Sequence, residues 1–162
     1  MPVLEKIGAR KFNFSEVKMI NRDTVRLLRE CDSGIKMGIK SIDDCLPHVK
    51  SQRMRGAMLV CKDEHTKMKK EIHSLLDRYH DGGKDPNPIV TGMSKIKTNM
   101  KLMLSDTDKT VASLMTDGCN MGVKSLSGFL NKYKAADEDS KSITKRLIAT
   151  EEQLERDMRR FL

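Results

Sequence analysis

Apolar side chains recur three and four residues apart through most of this chain, which is the spacing of one face of an α-helix. Asp23 stands before the first sustained stripe as a candidate N-cap. Leu28, Cys31, Ile35, Ile39, Ile42 and Cys45/Leu46 then line one face up to Pro47, which ends the helix. Ahead of it, residues 1–22 are weakly patterned and read as an arm, with at most a short helical turn over SEVKMI (15–20). A second stripe, Met54, Met58, Cys61, His65, Met68, Ile72 and Leu75/Leu76, predicts a helix from about residue 49 to Tyr79. A connection this short folds the two helices into an antiparallel hairpin.

HDGGKDPNPIVTG (80–92) interrupts the pattern, because its glycines, prolines and asparagine end one helix and forbid another. SKIKTNMKLML (94–104) reads as a short extra helix. Asp106 or Thr107 then caps a third long helix reaching about Tyr133, with Val111, Leu114, Met121, Leu126 and Phe129/Leu130 inward. After the acidic turn KAADEDS (134–140), the last helix places Ile143, Leu147/Ile148, Glu151, Leu154, Met158 and Phe161/Leu162 on one face. The expected fold is all-α: an antiparallel four-helix bundle of two similar hairpins (23–80 and 106–162) joined by a long crossover (81–105) carrying the extra helix.

The similarity of the hairpins is visible in the letters. Residues 31–42 read CDSGIKMGIKSI and residues 115–126 read MTDGCNMGVKSL, matching at a shift of 84, while the second and fourth helices overlay at a shift of about 86. An internal repeat by duplication is the simplest reading. Glycine inside a helix costs about 1 kcal/mol relative to alanine. Gly34/Gly38 and Gly118/Gly122 therefore predict close approach of another element, with room for a ligand as the alternative.

Composition narrows the function classes. Aromatics are 4% with no Trp, which argues against a base-stacking nucleic-acid platform, and twelve Met supply much of the apolar volume. The net charge of +8 is dispersed among acidic residues with no Lys/Arg block or reader motif. Polyanion binding through the basic middle is thus the weakest of the readings. Four cysteines without paired short spacings, no signal-like apolar stretch and no membrane-length apolar run point to a cytoplasmic protein with no membrane partner.

LLRECDSGIKMGIKSIDDCLPHVKSQRMRG, the mid-chain break with its short helix, and DKTVASLMTDGCNMGVKSL leading to IATEEQLERDM resemble the ferritin-like superfamily over about residues 23–162. The similarity is greatest to an uncharacterised bacterial family of ferritin-like four-helix bundles. The resemblance implies the bundle and a link to di-iron carboxylate proteins, whose centre takes one Glu from each of two helices and a Glu-x-x-His from each of the others. The nearest counterparts are Glu30, Glu64, Asp117 and Glu152. Lys67 and Glu155 stand where the histidines belong, so the site reads as eroded.

A second group lies inward. His65 and Glu151 correspond across the repeat, Cys61 is one turn from His65, Cys119 takes the place of Ile35, and counting from the turn sets Cys31 near the level of His65. These five residues could ligate zinc, the competing view being buried cysteines beside one satisfied His–Glu pair. His48, His73 and His80 read as solvated. Ser33, Ser41 and Ser125 lack a base-and-orienter set, and DGGK lacks the context of a phosphate loop. The resulting expectation is a non-enzymatic ferritin-like bundle with no cofactor, an interaction, structural or stress-associated module able to form a homo-oligomer. The alternative is a metal-binding redox or storage protein, with iron at the carboxylates or zinc at the Cys/His group.

Overall fold

The computed structural model describes residues 11–87 and 107–162. Four long helices pack closely together, and no strand occurs among the described residues: α1 (Phe14–Cys45), α2 (Gln52–Asp77), α3 (Thr107–Lys132) and α4 (Glu138–Met158). The extra helix expected over 94–104, and most of the crossover, lie outside the described residues.

The first helix begins earlier than its apolar stripe suggests. Asn13 accepts the Glu16 amide at 2.9 Å while the Glu16 carboxylate accepts the Asn13 amide at 2.9 Å, a reciprocal capping box that starts α1 nine residues ahead of Asp23. Residues 14–22, assigned to an arm by their weak pattern, are therefore helix. Asp23 caps nothing on its own helix. It is buried in α1 and accepts the Ala135 amide at 3.2 Å, so its carboxylate serves another turn of the fold. Pro47 does end α1, inside a 3₁₀ turn over Leu46–His48, and Ser51 caps α2 by accepting the Met54 amide.

The two tight turns are capped across the molecule. Thr24 Oγ1 on α1 accepts the Asp137 amide at 2.8 Å, at the start of α4. Asp108 on α3 accepts the Lys50 and Ser51 amides at 2.7 and 2.9 Å, at the start of α2. Thr24 and Asp108 are 84 residues apart, and Ser51 and Asp137 are 86 apart, so the interactions exchange at the offsets seen in the sequence. Asp108→Ala strands both amides and is expected to lower stability by about 2 kcal/mol. Urea unfolding would show this as a lower midpoint at an unchanged slope.

The interior has two apolar clusters stacked along the helices. One gathers Leu27, Leu28, Cys31, Ile35, Met68, Ile72, Leu76, Leu126, Ile143 and Leu147; the other gathers Ile42, Cys45, Met54, Met58, Cys61, Val111, Met115, Cys119, Leu154 and Met158. The same offsets carry one cluster onto the other. Leu27 goes to Val111, Leu28 to Ala112, Cys31 to Met115, Ile35 to Cys119, Met68 to Leu154 and Ile72 to Met158, and every one of these is buried. Each fully buried Leu, Ile or Met adds roughly 1.5–3 kcal/mol of transfer free energy. Met121, expected inward, is 62% exposed, and Met115 and Cys119 fill that face instead. The inward line of α3 runs Met115, Cys119, Gly122 and Leu126, which leaves Met121 turned outward.

Candidate functional site

On each long helix one inward position lies at the level between the two clusters: Gly38 on α1, His65 on α2, Gly122 on α3 and Glu151 on α4. Together they make a polar waist between two apolar halves. His65 is 1% exposed, and its Nε2 lies 2.7 Å from Glu151 Oε1. Its Nδ1 faces the Cys61 carbonyl at 2.9 Å and the Cys61 sulfur at 3.5 Å.

The geometry dictates the protonation. A carbonyl can only accept, so Nδ1 carries a hydrogen and donates it. A bare Nε2 lone pair would then face a carboxylate oxygen at 2.7 Å, so a proton lies between them. Burial alone would lower the imidazole pKa. The hydrogen bonds to Cys61 and Glu151, with their negative charge, outweigh it and push the value up to about 10. At neutral pH His65 is therefore the imidazolium.

The glycines make room for it. A Cβ on Gly38 would sit 3.0 Å from His65 Nε2 and 3.1 Å from Cδ2, and a Cβ on Gly122 would sit 3.6 Å from Glu151 Oε2. Gly34 and Gly118 have nothing within 4 Å of such an atom. Only the second glycine of each twin segment is in contact, and what it accommodates is the His–Glu pair rather than a neighbouring backbone.

Of the five Cys/His/Glu candidates, the waist brings together Cys61, His65, Cys119 and Glu151, with the Cys119 thiol against the Glu151 carboxylate. Cys31 is elsewhere: its sulfur meets Thr144 Oγ1 at 3.2 Å within the other cluster. The four carboxylates matched to a di-iron centre do not converge. Both Glu30 oxygens lie 2.8 Å from Lys84 Nζ, Glu64 pairs with Lys67 at 3.0 Å, and Asp117 and Glu152 are exposed. Lys67 is itself an exposed cation between Asp63 and Glu64. Among the described residues no three His, Cys, Asp or Glu side chains form a group able to hold a metal ion. The His65 nitrogens face a carbonyl and a carboxylate, and the Glu30 oxygens face an ammonium, so these residues do not fit a metal as they stand.

Comparison of the chain with protein-family models, with curated proteins and with solved structures finds no match.

One polar centre escaped the sequence reading. Asp32 is fully buried and holds Lys36 Nζ at 2.8 Å, His73 Nε2 at 2.7 Å and the Lys84 amide at 2.9 Å. His73, read as solvated, is thus half-buried and bonded. Burial works to raise the Asp32 pKa, but hydrogen bonds from Lys36, Lys84 and His73 prevail and hold it below the usual carboxylate value. Gly83, at φ +88°, passes so close that a Cβ there would collide with Asp32 Oδ2. Asp81 also bridges Arg29, and Asp85 pairs with Lys36, which ties the start of the crossover to α1. The available signals were the Asp32/Lys36 spacing of i,i+4 and the Gly82-Gly83 pair, neither specific alone.

A cleft of about 210 Å³ opens between α2 and α4, with Ala57, Val60, Cys61 and Leu154 among its apolar walls and Glu64 and Asp157 on its lining. Val60 on its lining is 66% exposed. No helix among the described residues is long and apolar enough to cross a membrane.

Proposed function

We propose that this chain is a ferritin-like antiparallel four-helix bundle, built from two similar hairpins, that works as a non-enzymatic interaction or structural module of the bacterial cytoplasm. The observation that carries the reading is the His65–Glu151 pair. It fills the mid-bundle level where the resemblance implies a metal centre, and each His65 nitrogen already has a protein partner. The opposed registers of Asp43–Lys62 and Asp32–His73, and of His65–Glu151 and Glu71–Arg146, support the antiparallel arrangement. The exchange of turn caps and core clusters at offsets of 84 and 86 supports duplication. Exposed Leu59, Val60 and Met121 support self-association, and the dispersed charge without a basic block does not favour nucleic acid.

The module reading expects purified protein, never exposed to chelator, to carry no stoichiometric metal by elemental analysis. Iron at about two equivalents per chain would overturn it in favour of a di-iron redox or storage protein. Stoichiometric zinc lost on His65→Ala would overturn it in favour of a Cys/His site.

A further inference from the structure

We infer that Cys61 is a site of oxidation by small uncharged hydroperoxides, reached through the α2–α4 cleft and served by His65 and Glu151 as proton donor and orienter. This goes beyond the module reading and is independent of the bundle's ancestry.

Three observations meet at this sulfur. Cys61 lines the cleft while its other side faces the core. Its Sγ lies 3.5 Å from His65 Nδ1, and the opposite ring nitrogen is held 2.7 Å from Glu151 Oε1. Nucleophile, proton donor and orienter thus follow one another. The Cys61 carbonyl, 2.9 Å from Nδ1, keeps the ring hydrogen beside the sulfur.

The other cysteines lack this setting. Burial pushes the Cys31 thiol up to about 12 and the Cys45 thiol up to about 11. Burial and the facing Glu151 carboxylate raise Cys119 further. The cleft also selects. At about 210 Å³ it is smaller than ordinary ligand pockets, which suits a small molecule. Its apolar walls and the carboxylates of Glu64 and Asp157 disfavour anionic oxidants.

The Cys61 thiolate attacks the terminal oxygen of ROOH, an S–O bond forms and the O–O bond breaks. The sulfur loses two electrons and the peroxide is reduced. The departing alkoxide takes the proton from His65 Nδ1 and leaves as ROH, and the product Cys61 sulfenic acid is returned to thiol by thiol reductants.

The test uses the full folded chain at pH 7, treated with tert-butyl hydroperoxide in the presence of dimedone and mapped by peptide mass spectrometry. Cys61 is expected to take the adduct at least tenfold faster than Cys31, Cys45 or Cys119, and Cys61→Ser is expected to remove it. In Glu151→Gln the rate should fall about tenfold, and its decline at alkaline pH, where His65 loses the proton it donates, should move to lower pH. The titratable groups that face His65 and Cys61 are Glu151 from α4 and Cys119 from α3, while Glu64 of α2 and Asp157 of α4 share the cleft with Cys61. Equal labelling of the cysteines, labelling only after unfolding, or a Glu151→Gln profile identical to the parent overturns the proposal.

Discussion

Glu151→Ala should destabilise the protein by about 3–5 kcal/mol, because it leaves a buried imidazolium without its counter-charge. Differential unfolding in urea measures this, and the double variant His65→Leu/Glu151→Met should recover most of the loss, since paired apolar groups remove the stranded charge. The pair also sets a pH dependence whose sign follows from the raised pKa. His65 binds its proton more tightly folded than unfolded, so its contribution is fully present below the unfolded value of 6.5 and is lost as pH rises through about 10. Between about pH 7 and 8.5 stability should fall by roughly 1.4 kcal/mol per pH unit, and the double variant should be flat by comparison. Above pH 9 the buried thiols add a decline of the same sign, because their folded pKa values are raised too. A parent protein as flat as the double variant across pH 7–8.5 would mean that the imidazole is neutral.

Asp32→Ala is expected to cost about 3 kcal/mol. The carboxylate is inaccessible and accepts from an ammonium, an imidazole and a backbone amide, so its removal leaves the half-buried Lys36 and the Lys84 amide unsatisfied. The partly exposed Lys36 and His73 regain some hydration, which places the effect at the lower end for a buried pair. Hydrogen exchange should show the damage first over residues 81–85, whose attachment to α1 passes through Asp32 and Gly83. The acid response runs opposite to that of His65. The lowered Asp32 pKa means that its contribution is present above the unfolded value of 3.8 and lost as pH falls through the folded one. If Asp32→Ala unfolds at the same urea concentration as the parent, the loop is held by other contacts.

Much of this was legible along the chain. Helical spacing identified α2 and α4, and it placed His65 and Glu151 inward because both continue an apolar stripe at a three-or-four step. The glycine twins were visible as two matching segments, but not which glycine of each pair is in contact. Cys31 was misplaced by counting from the turn. The tight connection at 46–51 sets Gly38 opposite His65 and Asp32 opposite His73, nearly two turns from the counted level. The start of α1 was missed because a capping box, rather than an apolar stripe, initiates it.

By itself the sequence determined where α2 and α4 run and most of their inward positions, since these follow from local periodicity. Tertiary structure decided the chemistry. Whether Glu30 faces a metal or Lys84, whether His73 is solvated or bonded, and whether a thiol is inert or lines a cleft depend on groups 30 or more residues away. Burial, charge and the number of partners around a side chain are properties of the packed molecule, and no local pattern encodes them.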